Sequence, residues 1–166
     1  MSLDASRLRR PEWIVAASAV LLLVFMFALK WYAPNDVLAR AAATLGFNAS
    51  VNGWHGLAQL RWLVLLTILL ALALVYFQAT RRAPAIPVSL SMIVTVLALL
   101  NLLGLFYRVV ISVPGTDVRK AGAWLGLASA AALLYGAFES MRTEGIAERD
   151  GPGEIETVRL DGEGGS

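Results

Sequence analysis

Residues 88–110 read VSLSMIVTVLALLNLLGLFYRVV, and Arg108 is the only charged side chain in the run. A helix needs about 20 apolar residues to cross roughly 30 Å of hydrocarbon, so this stretch reads as a transmembrane span. Working outward, Trp13 to Tyr32, Leu57 to Phe77 and Ala121 to Phe138 meet the same requirement. The whole chain agrees: 58% of its 166 residues are hydrophobic and 16% charged, with a mean hydropathy of +0.66. That is too apolar for an ordinary soluble domain. The expected fold class is all-α and integral to the membrane: four transmembrane helices in an up-down antiparallel bundle, with a short interfacial helix in the first loop. The expected division is a basic N-terminal segment (1–12), a transmembrane domain (13–143) and a disordered acidic tail (144–166).

The connections support this division. Pro11 suits a first helical turn, where its missing N–H costs nothing. The run from Ile14 to Leu29 is long for a signal peptide and no small-residue cleavage site follows it, so it reads as an uncleaved span. Trp13 and the pair Trp31-Tyr32 read as markers of the two membrane interfaces. In the first loop, Asn35 or Asp36 suits a helix cap. Val37, Leu38, Ala41 and Leu45 share one face, and Gly46 supplies a stop. Pro84 and Pro87 bound a tight second loop, and Pro114-Gly115-Thr116-Asp117 signals a turn in the third. After Phe138 the tail is rich in Glu, Asp and Gly, a composition that does not fold by itself.

Arg7, Arg9, Arg10, Arg81, Arg82, Arg142 and Arg149 fall on one side of the membrane. Lys30, Arg40, Arg61, Arg108, Arg119 and Lys120 fall on the other. The cluster ahead of the first span directs both termini to the cytoplasm of a plasma membrane. The basic membrane body carries no signal for nucleic acid, because arginines at helix ends reach lipid headgroups.

The chemistry-bearing residues are few. The chain has no cysteine, which excludes thiol and disulfide chemistry. His55, the only histidine, lies in a loop and cannot hold haem or a metal alone. Glu12 and Glu139 sit at span ends, too shallow for a proton-coupled carboxylate. No catalytic, cofactor-binding or metal site is expected. Two features of the spans concern packing. In the fourth, Gly122, Gly126 and Ser129 share a side with Ala130, Leu133 and Ala137, a small face that lets helix backbones approach closely. In the third, Asn101, Gly104 and Arg108 share a side, and Asn101 is expected to hydrogen-bond a neighbouring helix. Ser91 and Thr95 are expected to point elsewhere.

Several segments occur together in a familiar order: Leu8-Arg9-Arg10-Pro11-Glu12-Trp13, Lys30-Trp31-Tyr32, Asn52-Gly53-Trp54, Arg82-Ala83-Pro84-Ala85-Ile86-Pro87-Val88, Tyr107-Arg108, and Gly122-Ala123-Trp124-Leu125-Gly126-Leu127. Over residues 7–145 the chain resembles a family of small, uncharacterised four-span membrane proteins of actinobacteria. The family pattern often places an acidic residue at the start of the second span, where this chain has Gln59, Arg61 and Trp62. The resemblance implies the four-span architecture and a bacterial membrane, and transfers no functional residue.

Three functional expectations follow. The first is a non-enzymatic accessory or envelope component, in contact with membrane lipids and a membrane protein partner or further copies of itself. The second is a subunit of a small oligomeric channel or transporter, with the Asn101 to Arg108 side at a protomer interface. The third is a lipid-acting enzyme with His55 at its site.

Overall fold

The computed structural model describes residues 9–47, 49–80, 87–112 and 117–149. Its elements in chain order are α1 (Arg10–Ala28), β1 (Lys30–Pro34), α2 (Asp36–Thr44), β2 (Val51–Asn52), α3 (Gly53–Gly56), α4 (Leu60–Thr80), α5 (Pro87–Phe106), β3 (Asp117–Arg119) and α6 (Ala121–Arg149). A π-helical turn, Tyr107–Ile111, continues α5. Four helices are long and apolar enough to cross a membrane: Arg10–Ala28, Leu60–Thr80, Leu90–Ile111 and Ala121–Thr143. This is the composition of a multi-pass membrane protein.

These helices form a ring in which α1 packs on α4 and α6, and α5 packs on the same two neighbours. Each turns a stripe with helical spacing inward. Val15, Ala19, Leu22 and Met26 do so on α1, and Val64, Ile68, Ala71 and Leu74 on α4. On α5 the stripe is Val94, Ala98, Asn101 and Leu105; on α6 it includes Ala130, Leu133 and Ala137. Their outward faces are equally apolar, with Val24 and Phe27, Leu66 and Leu69, Leu99 and Leu103, and Trp124 and Tyr135 exposed. A helix hydrophobic all round belongs in lipid, so exposed leucines here mark bilayer contact and not a defect. Close α1–α6 packing depends on Gly136, where a Cβ would stand 3.0 Å from both Ile14 and Val15.

The all-α expectation needs a correction. The first span stops at Ala28, and Leu29 is already extended (φ −96°, ψ 147°). Lys30-Trp31-Tyr32 therefore belongs to a strand and not to the helix. β1 is central in a three-stranded antiparallel sheet of order β2-β1-β3. Tyr32 pairs with Arg119 and Ala33 with Val118, while Lys30 pairs with Asn52 across an irregular step. Aromatic and β-branched residues suit such strands, and Pro34 sits at an end, where no ladder donor is needed. Because β1 follows α1, β2 precedes α4, and β3 lies between α5 and α6, the sheet joins linkers that serve all four spans.

Other boundaries move less. The second span begins at Leu60, after the short α3, and α6 runs past Phe138 to Arg149. The turn at 114–116, Arg81 and Arg82, the start of the basic N-terminal segment and the acidic residues beyond 149 lie outside the described residues.

Candidate functional site

Trp31 and Tyr32 anchor the sheet to the bundle. Both are fully buried (0% exposed) within the protein, so neither ring is presented outward as a marker of the membrane interface would be. Glycines make the space. A Cβ on Gly126 would stand 2.3 Å from the indole, and Cβ atoms on Gly53 and Gly122 would approach it to 2.7 and 2.8 Å. The Tyr32 ring lies equally close to Gly56, at 2.6 Å. Trp31 Nε1 donates to Phe25 O at 2.7 Å, sharing near the end of α1 a carbonyl that also accepts from Leu29 N at 3.4 Å. Tyr32 Oη donates to Arg108 O at 3.4 Å.

Most polar side chains at this end serve the backbone. Arg119 donates from Nε to Val109 O and from Nη2 to Val110 O, covering two carbonyls of the π-helical turn. Arg108 Nη2 reaches Gly56 O at 3.4 Å. Asn52 donates from Nδ2 to Phe27 O at 3.2 Å and accepts from His55 N at 3.2 Å. Its carbonyl oxygen also lies 2.8 Å from His55 Nδ1. His55 is thus engaged in closing α3. Arg61 lies over two rings, 5.1 Å from the Trp54 centroid and 5.5 Å from that of Trp62. Phe27 stacks on Trp54 at 5.3 Å, extending the group onto α1. Such cation–π contacts strengthen when partly withdrawn from water.

Helix α2 is different, because none of its residues is buried. Asn35 caps it, accepting from Leu38 N at 3.1 Å. Gly46 ends it with φ +76°, a left-handed conformation that glycine adopts without strain. Val37, Leu45 and Phe47 are each more than 70% exposed, so these side chains are left largely uncovered by the described residues. Between α2 and β1 lies an open groove of about 620 Å³. Ala33 and Pro34 of β1 and Ala39 and Ala43 of α2 form its sides, and Lys30 and Lys120 line it as well.

The residues singled out from sequence divide into groups. Gly122 and Gly126 meet at the Trp31 ring, although their neighbour was expected to be a helix backbone. Gly104 lies against Leu60 of α4, with a Cβ placed 2.6 Å from its side chain, and Arg108 lies one turn further on. Ser129 is buried and donates to Leu125 O within its own helix at 2.9 Å. Asn101 is 1% exposed, but neither its Nδ2 nor its Oδ1 has a hydrogen-bond partner among the described residues. The expected interhelical bond is not formed. Ser91 is also buried on the same helix.

The two lysines and the seat of Trp31 were missed from sequence. Lys30 and Lys120 come to line one groove because Lys120 N donates to Trp31 O at 2.8 Å beside the β1–β3 pairing. No local pattern encodes that contact. Among the described residues, no group of three or more His, Cys, Asp or Glu side chains is placed to hold a metal ion. No family model matches the chain, and neither does any curated protein or solved structure.

Proposed function

We propose that this is a non-enzymatic accessory or envelope component of a bacterial plasma membrane, acting through contacts made at its sheet-capped end. The observation that carries the reading is α2, a helix with no buried residue held on a strand whose Trp31 and Tyr32 are fully buried. A firmly anchored element with no buried residue of its own, touching the rest of the described structure chiefly along β1, is suited to contacts outside it. In this reading the bundle is up-down and antiparallel, the termini are cytoplasmic, the cap is external and α2 lies in the interface. The packing of Gly122 against Lys30 and of Gly136 against Ile14 supports opposed directions for α1 and α6. The separation of Val37, Leu38 and Leu45 from Asp36 and Arg40 around α2 supports its interfacial placement.

Photo-crosslinking residues introduced at Val37 and Leu45 in native membranes test the reading, with Leu103 on the outward face of α5 as reference. A discrete protein adduct from α2 positions and not from Leu103 is the expected result. Adducts formed only with lipid, or only with a second copy, would overturn it. A channel or transporter subunit is the second reading, favoured by the unpartnered Asn101 amide inside a span. Its proposed protomer-interface role for Asn101 has little support, since that side chain is turned into its own bundle. Solute flux into proteoliposomes separates the two.

A further inference from the structure

We infer that the groove between α2 and β1 is a binding site for an anionic phospholipid, whose phosphate lies between Lys30 and Lys120 and whose acyl chain follows the alanine-lined groove sides. Its volume, about 620 Å³, is within the range of roughly 300–1,000 Å³ usual for small-molecule sites. Small side chains keep it open: Ala39 and Ala43 lie one turn apart on α2 and both line it.

The charge at this end is unbalanced. Lys30, Arg40, Arg61, Arg108, Arg119 and Lys120 outnumber Asp36 and Asp117 in sequence, and no carboxylate is among the described side chains that line the groove. Arg108 and Arg119 bond to backbone carbonyls, and Arg61 lies over tryptophan rings. Among the described residues, neither lysine ammonium has a hydrogen-bond or ion-pair partner. Both stand where headgroups do: Lys30 is two residues past the end of α1, and Lys120 immediately precedes α6. The positive end of the α6 dipole adds to their attraction for an anion. A zwitterionic lipid would bring its own cation into this unbalanced field and gain less.

The inference deepens the contact-surface reading, and the two fail separately, because a lipid titration in micelles needs no protein partner. Phosphatidylglycerol and phosphatidylcholine are each titrated into the full chain in a neutral detergent, with bound lipid counted by native mass spectrometry. Preferential retention of one phosphatidylglycerol is expected, and excess glycerol phosphate should not displace it. The double variant K30Q/K120Q should bind about tenfold more weakly, since it loses two charge-assisted contacts. Ala43→Trp should fill the groove and abolish retention with its thermal midpoint unchanged, while Arg40→Gln should bind as the parent does. Equal retention of both lipids, displacement by glycerol phosphate, or undiminished binding by K30Q/K120Q and Ala43→Trp would overturn the inference.

Discussion

Replacing Gly126 with alanine adds a single methyl group, yet the structure assigns it a large effect. The new Cβ would stand 2.3 Å from Trp31 Cζ2 and 2.4 Å from Cη2, where carbon atoms normally rest about 3.5–4.0 Å apart. The ring must therefore retreat by more than about 1 Å. Gly53 and Gly122 flank it on other sides, and its Nε1 is bound to Phe25 O. Overpacking of this kind costs about 1–3 kcal/mol, and a lost hydrogen bond adds about 1 kcal/mol. The expected destabilisation is about 2–4 kcal/mol. Equilibrium unfolding in mixed micelles, followed by far-UV circular dichroism as dodecyl sulfate increases, measures it directly. Trp31→Phe supplies the decisive background because phenylalanine lacks the far edge of the indole. There, Gly126→Ala should cost less than about 1 kcal/mol, although Trp31→Phe is itself destabilising. Costs that add within about 0.5 kcal/mol across the two backgrounds would refute the keyed contact.

Asn101→Leu should stabilise the bundle by about 1 kcal/mol in the same titration, because it removes a buried amide that has no hydrogen-bond partner among the described residues. A loss of stability would show that the amide is bonded after all. Arg119→Ala should lower the unfolding free energy by about 2 kcal/mol, since it strips charge-assisted donors from Val109 O and Val110 O. Arg119→Lys should restore only part of this, because an ammonium lacks the planar fork that reaches both carbonyls. For orientation, single cysteines at Ala49 and Thr80 can be labelled in intact cells with an impermeant thiol reagent, as the native chain has no cysteine. Labelling at 49 and not at 80 is expected, and the opposite pattern inverts the topology.

The four spans were legible because their signal is local: twenty consecutive apolar residues need no tertiary information to be recognised. Asn35 as a cap and Gly46 as a stop were legible for the same reason, each acting within one turn. The sheet was not. Lys30-Trp31-Tyr32 follows the apolar run with no glycine or proline to mark a break, and its aromatics suit a membrane interface as well as a strand. Only pairing with residues near 51 and 119 decides between these roles. Small residues on α6 were identified from spacing, but spacing could not say that an indole occupies the space beside Gly126. The polarity of Asn101 was equally visible, whereas its lack of a partner depends on three other helices. Lys30 and Lys120 are far apart in sequence, which left their shared groove invisible until β1 and β3 were paired.

The seat of Trp31 also bears on the order in which the protein is made. Strand β1 leaves the ribosome soon after the first span, but Gly122 and Gly126 belong to the last. Until that span arrives, the indole has no close-fitting walls on two sides. A nascent chain ending before Ala121 lacks the walls that α6 gives the indole, and such uncovered apolar surface makes an incomplete chain prone to misassembly. Arrival of α6 brings Gly122 and Gly126 against the ring, so the cap is finished only when the last span is in place.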